Sequence, residues 1–355
     1  MKLVEFRVKG ENMKKVLALV LVLAVCTMMF SACGNSSKTQ KEDTASEAQA
    51  VGSESQTEQK EDSSKTSSEE TGKVYTIGYA PTTMNNPFWL AVLDGVKEVL
   101  EPLGHKIVTI DCQNDQSKMN DQVGDLIASG IDALLIAPVD STGCQPALEA
   151  CKEKNIPVVN FDTPVANADM VASIVASDNY NAGVVVAKDM LEKLQEGSKV
   201  AVLHSPSGQA CIDRYAGFTD TIGDKLNVVS VLDGKGDTGV SLPLAEDILT
   251  ADPDLGAFFA VNDPSAIGCI QALAAHPEAK GVLVYGVDGS PDAKTMIKKG
   301  DMTGTGAQST ETMGAKSAAT ALSVLAGKEV EKHIVVDTFL ITSKNVEEYG
   351  LDTWQ

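Results

Sequence analysis

The sequence predicts an α/β protein of two doubly wound parallel-sheet lobes joined by a three-stranded hinge. From Val74 onward, short apolar segments alternate with amphipathic segments of helical period, which is typical of repeated β–α–β units. Nine such apolar segments within about 270 residues favour two sheets rather than one. The spacing of the helical segments changes at Ala176–Asn179, so we expect the first sheet to end there.

The expected strands are short, and most of them are rich in Val, Ile or Leu. They lie at 74–80, 105–111, 133–137, 157–161, 199–204, 227–232, 257–261, 281–287 and 303–308. The amphipathic segments between them include 117–129, 142–154, 182–194, 240–249, 266–275 and 310–326.

The first 32 residues have the layout of a secretory signal. Met13-Lys14-Lys15 precedes an apolar run at 16–30, which is too short for a typical membrane-spanning helix. Because residues 1–12 are unusually polar for a leader, Met13 is an alternative translation start. The run ends in Phe30-Ser31-Ala32-Cys33-Gly34, which resembles the lipoprotein box of bacteria, although that box usually begins with Leu. The resemblance implies that Cys33 carries lipid; an uncleaved anchor is the alternative, and both predict an extracytoplasmic protein.

Residues 33–73 are expected to be a disordered tether. This tract is dominated by Ser, Thr, Glu, Gln and Lys, with Val51 as its one large aliphatic residue before Val74. A flexible coil of this length spans roughly 35 Å, which suits a globule held off a membrane. The net charge of the whole chain is −20, which argues against binding to nucleic acid.

The stretch Tyr75–Gly95 carries the first candidate site. It contains a short strand, a polar loop and a helix that Asn85 or Asn86 can cap, with Pro87 at the first helical position. The side chains of Asn86, Phe88 and Trp89 would then meet at the carboxyl end of a strand, where open α/β sheets bind ligands. An amide beside two aromatic rings suits a sugar, but a capped helix with two core aromatic residues explains these residues equally well.

Polar side chains recur just beyond several of the other strands. A carboxylate, an amide or a guanidinium can each form paired hydrogen bonds with neighbouring sugar hydroxyls. Taken singly, each of these residues is also explained as a helix cap or turn former, although Gln is a poor cap. The residues are Asp162, Asn262, Asp263, Asp288 and Gln308, together with Arg214, which we place in the first turn of a helix.

Six motifs, in order along the chain, resemble the ribose- and galactose-type periplasmic sugar-binding proteins, the solute receptors of ABC transporters. They are MNNPFW, VASDNYNAG, DRYAGF, AVNDPSAIG, VYGVDGSPDA and GTGAQSTETMG, and the resemblance runs from Val74 to about Thr342. It implies two lobes, one of residues 74–177 and 309–337 and the other of residues 178–308 and 338–355. The three crossings between them would fall near Ser177–Asp178, Gln308–Ser309 and Asp337–Thr338.

The resemblance also implies which residues contact the sugar in the cleft. Three residues depart from the ribose-type pattern: Ala137 replaces an Asn, Thr163 replaces an Arg, and Gly236 replaces an aromatic residue. These changes predict a cavity that is wider and poorer in donors than a ribose site. The implied ligand-binding residues are Asn86, Phe88, Trp89, Asp162, Arg214, Asn262, Asp288 and Gln308.

Catalytic signals are weak in this sequence. The segment Gly234–Gly239 matches the dinucleotide fingerprint, and Asp263 follows at a suitable distance, but the motif lies mid-chain in a protein with an export signal. The histidines lack zinc-ligand spacing, no nucleophile elbow is present, and the cysteines form no CxxC pair. Asp162 and Asp288 could imitate the carboxylate pair of a glycosidase, but the resemblance assigns them to hydroxyl binding. We therefore expect no cofactor, no metal and no enzymatic activity.

The sequence thus predicts a lipid-anchored, monomeric sugar receptor that delivers its ligand to an ABC permease. Two alternatives remain open: a binding protein that signals to a chemoreceptor or sensor kinase, and an extracytoplasmic carbohydrate enzyme. A sugar-responsive repressor would share the binding fold, but the export signal and the absence of an N-terminal DNA-binding segment argue against it.

Overall fold

The computed structural model of the protein describes residues 72–355. The predicted signal peptide, the candidate lipid attachment site Cys33 and nearly all of the predicted tether lie outside the described residues. Within the described part of the chain, no helix has the length and apolar character needed to cross a bilayer.

The first lobe contains a six-stranded sheet in which all strands run parallel, in the order β2-β1-β3-β4-β5-β11. Its strands are β1 (Thr76–Ala80), β2 (Lys106–Thr109), β3 (Ala133–Ile136), β4 (Val158–Phe161), β5 (Ser173–Ser177) and β11 (His333–Val336). The order of the first four strands reverses direction at β1, as expected for a doubly wound sheet.

The second lobe repeats this arrangement with the order β7-β6-β8-β9-β10-β12, and only β12 is antiparallel to its neighbour. Its strands are β6 (Lys199–His204), β7 (Asn227–Asp233), β8 (Ala257–Ala260), β9 (Leu283–Asp288), β10 (Gly304–Gln308) and β12 (Thr338–Thr342).

The helices cover both faces of each sheet, so each sheet lies between two apolar cores. In chain order they are α1 (Pro87–Leu100), α2 (Gln116–Ser129), α3 (Gln145–Glu153), α4 (Asn179–Lys193), α5 (Gln209–Ile222), α6 (Thr238–Ala251), α7 (Asp263–Ala275), α8 (Pro291–Lys299) and α9 (Thr310–Leu325). A strand that is buried on both faces has a continuous apolar sequence, and β3 and β8 were recognisable for this reason.

The chain passes between the sheets three times. It crosses after β5, returns between β10 and α9, and crosses again at Asp337 between β11 and β12. The predicted fold class, two parallel-sheet α/β lobes, is confirmed. The expected strand number was wrong, because the structure adds β5, β11 and β12 to the nine expected strands. A three-residue 3₁₀ helix (Ala168–Met170), rather than an α-helix, lies between β4 and β5, and β11 and β12 follow each other directly as edge strands, so the alternation of strand and α-helix does not reveal them.

Glycine contacts bring α4 and α5 unusually close together. A Cβ on Gly183 would lie 2.0 Å from the Arg214 carbonyl oxygen, and a Cβ on Gly217 would lie 2.0 Å from that of Tyr180. Only glycine permits this approach. It places Arg214 of α5 against Asn179, the first residue of α4.

Candidate ligand-binding site

A cavity of about 850 Å³ lies between the lobes, at the carboxyl ends of the parallel strands. In open α/β sheets this edge is the usual ligand site. All eight of the residues predicted from the sequence line the cavity: Asn86, Phe88, Trp89, Asp162, Arg214, Asn262, Asp288 and Gln308.

The first lobe contributes the aromatic part of the cavity wall. The Asn86 side-chain oxygen accepts a hydrogen bond from the Phe88 amide (3.0 Å), so Asn86 caps α1 and its NH₂ group remains for another partner. The rings of Phe88 and Trp89 meet edge to face at 5.0 Å. The Tyr79 hydroxyl donates to the Trp89 carbonyl oxygen (2.8 Å) and fixes this first turn on the sheet. Asn86 is therefore a helix cap that also lines the cavity.

Asp162 contributes a buried carboxylate from the end of β4. Its backbone has the left-handed φ of 58°, which is uncommon for a residue other than glycine and turns the chain sharply at the cavity. The Thr163 hydroxyl donates to Asp162 Oδ2 (2.9 Å), whereas Asp162 Oδ1 is buried and has no hydrogen-bond partner. Burial raises the pKa of the Asp162 carboxyl, and the Arg214 guanidinium and the Thr163 hydroxyl oppose this shift.

Arg214 lies in the second turn of α5, one turn later than predicted, because the helix begins at Gln209. Its Nε donates to Asn179 Oδ1 (2.8 Å), and its Nη1 donates to the Val261 carbonyl oxygen (2.8 Å). These two bonds hold the guanidinium plane in place and use two of its five N–H groups. The buried guanidinium is therefore oriented in advance of any ligand.

Asp288 ends β9 beside Arg214, with 3.7 Å between Asp288 Oδ1 and Arg214 Nη1. The Gln308 amide donates to Asp288 Oδ1 (2.9 Å), while Gln308 Oε1 is buried without a partner. Burial raises the pKa of the Asp288 carboxyl well above its ordinary value, and the nearby Asp263 carboxylate raises it further. The Arg214 guanidinium lowers this pKa, but burial and the Asp263 carboxylate outweigh its effect.

Asp263 is not among the cavity-lining residues, although the sequence placed it both among the polar residues beyond the strands and in a possible cofactor motif. It is fully buried and accepts hydrogen bonds from the Thr305 hydroxyl (2.7 Å) and the Ser290 amide (2.8 Å). Its own amide donates to Asp288 Oδ2 (3.3 Å). Asp263 thus connects three segments and positions Asp288, and its carboxylate is not free to bind the ribose of a dinucleotide.

Asn262 and Gly236 meet on the second-lobe wall. Asn262 Oδ1 accepts from the Ser265 amide (3.1 Å), so Asn262 caps α7, and its Nδ2 donates to the Gly236 carbonyl oxygen (3.0 Å). Gly236 has a φ of 64°, and a Cβ there would lie 2.9 Å from Asn262 Nδ2. A side chain at this position would need a different local backbone.

The other two departures from the ribose-type pattern differ in their surroundings. Thr163 lines the cavity and bonds to Asp162. Ala137 is instead fully buried in the first-lobe core that includes Phe88, Trp89 and Phe161, and it is not part of the cavity lining. The expectation that Ala137 changes the donors of the cavity therefore lacks support from its position.

Residues that follow the edge strands also line the cavity and were missed. Gln113 and Asn114, beyond β2, both have positive φ, as does Lys235 beyond β7. Consecutive polar residues just after an apolar segment were the signal available in the sequence. The half-buried thiol of Cys211 is a further cavity-lining group, and burial raises its pKa to about 11.

Two hydrogen bonds cross the cleft directly. The Ser141 hydroxyl, in the loop after β3, accepts from the Gln209 amide (3.2 Å) of the second lobe. The Ser141 amide donates to the Ser207 carbonyl oxygen (3.4 Å). Ser141 is not among the cavity-lining residues, so these bonds join the lobes without using a ligand-facing group.

Among residues 72–355, no cluster of three His, Cys, Asp or Glu side chains is suited to hold a metal ion. The arrangement instead offers hydrogen-bond donors, hydrogen-bond acceptors and two aromatic rings around one cavity. Such a site is suited to a small polar molecule with an apolar face.

Comparisons with known proteins agree with this geometry. The periplasmic binding protein domain family matches residues 77–329. The ribose import binding protein RbsB of Bacillus subtilis (strain 168) is 37% identical over 273 residues, which cover 77% of this chain and 88% of the relative.

Two solved structures have the same fold. An ABC transporter solute binding protein from Mycobacterium smegmatis, with bound glycerol, matches with a TM-score of 0.75 and 30% identity, covering 79% of this chain and 99% of the other. One from Agrobacterium vitis, with bound D-fucose, matches with a TM-score of 0.73 and 28% identity, covering 77% and 97%. From the family match and the identity to the Bacillus subtilis relative, the chain belongs to the ribose- and galactose-type family of periplasmic sugar-binding proteins.

Proposed function

We propose that this protein is a lipid-anchored extracytoplasmic receptor that captures a monosaccharide or similar polyol and delivers it to an ABC importer. The observation that carries the proposal is a pair of buried acceptor atoms without hydrogen-bond partners. Asp162 Oδ1 lies on the first-lobe side of the cavity, and Gln308 Oε1 lies on the second-lobe side. Leaving a buried polar group unpaired costs about 1–3 kcal/mol. Hydroxyl groups of a ligand in the cleft would satisfy both atoms.

The remaining groups of the cavity fit the same class of ligand. Arg214, Asp288, Asn262 and the free NH₂ of Asn86 supply charged and neutral hydrogen-bonding groups, which suit vicinal hydroxyls. The rings of Phe88 and Trp89 offer apolar surface to the C–H face of a sugar ring.

Transport is supported by what the relatives are named for. The Bacillus subtilis relative is a ribose import binding protein, and both structural relatives are described as ABC transporter solute binding proteins. The family consists of binding proteins rather than enzymes, so we assign no catalytic role to the cavity. In this proposal the lobes 74–177 with 309–337 and 178–308 with 338–355 close on the ligand about the three crossings.

The anchor and the state of assembly complete the proposal. Lipid on Cys33 and the tether of residues 33–73 would hold a monomeric receptor near the permease at the outer face of the membrane. The lipoprotein-box resemblance at Cys33 is the support for this anchor.

For the identity of the ligand, we propose a molecule bulkier than a pentopyranose, such as a hexose, a furanose with an exocyclic arm or a polyol ring. Thr163 and Gly236 provide the support, because both line the cavity and both are small. Ribose would leave some of the polar groups unpaired, at about 1–3 kcal/mol each.

A thermal-shift panel of pentoses, hexoses and cyclic polyols tests both parts of the proposal. A ligand at 100 times its dissociation constant adds about 2.7 kcal/mol, and for large domains each kcal/mol raises the melting temperature by about 2–4 °C. We expect the largest shift from a hexose or polyol ring. A largest shift from ribose would contradict the size argument, and no shift from any sugar would contradict the proposed ligand class.

A further inference from the structure

The segment 346–355 packs against both lobes. Val346, Tyr349 and Leu351 pack on a core of the second lobe, where β12 brings the chain. Trp354 instead packs on the first-lobe core formed beneath α1 and α9. Within a few residues, the segment therefore spans from one lobe to the other.

The part of the segment just before Trp354 is held firmly to the second lobe. Lys294 of α8 is completely buried, and its ammonium group donates to the carbonyl oxygens of Tyr349 (3.1 Å) and Thr353. A buried ammonium group needs such partners, because an unpaired charge in the interior is costly. Lys294 thus fixes the backbone directly beside Trp354.

Gln355 reaches the loop that follows Asp288. In the amide orientation that satisfies both ends of its side chain, Gln355 donates to the Gly289 carbonyl oxygen (2.9 Å) and accepts from Lys294 Nζ (2.6 Å). The segment therefore ends next to the loop that carries the cavity carboxylate Asp288.

Trp354 contacts the aromatic wall of the cavity from behind. Its ring meets the Phe88 ring edge to face, with 5.8 Å between centroids and an interplanar angle of 79°. Phe88 lines the cavity, whereas Trp354 is not among the lining residues. Trp354 can therefore affect a ligand only through Phe88 and through the closure of the lobes.

We propose that Trp354 is a positioning residue that links the two lobes around the ligand and supports the Phe88 ring. The proposal rests on the proposed function, in which lobe closure captures a sugar. Because its anchor Lys294 and its target Phe88 lie on different lobes, the Trp354–Phe88 contact holds the lobes in the arrangement seen in this structure, whether or not a sugar is bound. Removing it destabilises this arrangement relative to a more open one.

The test compares the wild-type full chain in detergent with Trp354→Ala, Trp354→Phe and Leu351→Ala. Leu351→Ala is the matched control, because it removes apolar packing from the same segment on the second lobe alone. D-ribose and D-fucose are the probes, and stopped-flow fluorescence gives their association and dissociation rates. We expect Trp354→Ala to speed dissociation about three- to tenfold, which corresponds to the loss of one aromatic pair, and to leave association unchanged. Trp354→Phe should restore most of the slow dissociation.

A second measurement needs no ligand. Hydrogen–deuterium exchange with mass spectrometry should show faster exchange at 86–93 in Trp354→Ala but not in Leu351→Ala, since only the former loses the first-lobe contact. If exchange at 86–93 increases but neither sugar binds the wild type, the link between the lobes through Trp354 is supported and the proposed ligand class is contradicted. Unchanged exchange at 86–93 in Trp354→Ala overturns the proposed role of Trp354, whatever the sugar assay shows. Equal dissociation rates of a bound sugar from Trp354→Ala and wild type also overturn it.

Discussion

Asp288 and Arg214 lie side by side in the wall of the cavity. Both are buried, and their nearest atoms lie 3.7 Å apart. A hydrogen bond to a charged group contributes about 1.5–3 kcal/mol. We therefore expect Asp288→Ala and Arg214→Ala each to weaken binding of the panel's best ligand at least tenfold in isothermal titration calorimetry.

Asp301→Ala is the control for this pair, because Asp301 is an exposed carboxylate of the same lobe. Circular dichroism would verify that each variant retains its fold. Wild-type affinity in both Asp288→Ala and Arg214→Ala would show that these residues do not hold the ligand.

The raised pKa of Asp288 also predicts how pH changes the stability of the ligand-free protein. Because burial and Asp263 raise this pKa in the folded state, the folded protein holds a proton that the unfolded chain releases near pH 4. The free energy of unfolding contributed by this group therefore falls as pH rises from about 4 toward the raised folded-state value. The variant Asp288→Asn has no such proton, so the wild type should lose stability relative to it over that window.

Urea denaturation of both proteins at a series of pH values measures this difference. Asp125→Asn, which removes an exposed carboxylate on α2, is the control and should follow the wild type. A constant difference between wild type and Asp288→Asn across the window would contradict the raised pKa.

At the scale of elements, the close contact of α4 and α5 sets the position of Arg214. We expect Gly217→Ala to force the two helices apart, because its Cβ would lie 2.0 Å from the Tyr180 carbonyl oxygen. Overpacking of this kind costs about 1–3 kcal/mol. The melting temperature should fall by several degrees, and ligand affinity should fall with it as Arg214 moves away from Asn179.

Gly124→Ala makes the same substitution in α2, where no atom lies within 4 Å of the added methyl group. It should stabilise the protein by roughly 0.5–1 kcal/mol, the usual gain from replacing glycine inside a helix. If both variants change the melting temperature alike in a thermal scan, the close contact of α4 and α5 is not under steric constraint.

At the scale of the whole molecule, the Ser141 bonds across the cleft should favour lobe closure. Ser141→Ala removes the acceptor of the Gln209 amide, and one such hydrogen bond contributes about 0.5–1.5 kcal/mol. We expect two- to tenfold weaker ligand binding by calorimetry, although Ser141 is not a cavity-lining residue. Ser117→Ala, at an exposed site on α2, should bind as the wild type does; equal affinities in the two variants would argue against a role of Ser141 in closure.

In the proposed function, the location of the protein depends on Cys33, which lies outside the described residues. The wild type should partition with membranes, and Cys33→Ser should become soluble or remain an unprocessed precursor. Membrane fractionation and intact-mass measurement would distinguish these forms. An unlipidated wild-type protein that keeps its leader would contradict the anchor.

The sequence by itself determined the two-lobed α/β architecture and eight of the side chains that line the cleft. Both depend on local patterns: buried parallel strands are continuous apolar runs, and polar residues such as Asp162 and Asp288 follow them directly. Since the carboxyl ends of parallel strands share one edge of a sheet, residues far apart in the chain could be assigned to one site.

The tertiary structure alone decided what these residues contact. It placed Ala137 in a core, made Asp263 the support of Asp288, and brought Trp354 onto Phe88. These contacts join residues that are distant in the sequence, and they depend on how whole elements pack, which no local period or motif encodes. The strands β5, β11 and β12 escaped prediction although each contains an apolar run, because β5 follows β4, and β12 follows β11, without an intervening α-helix.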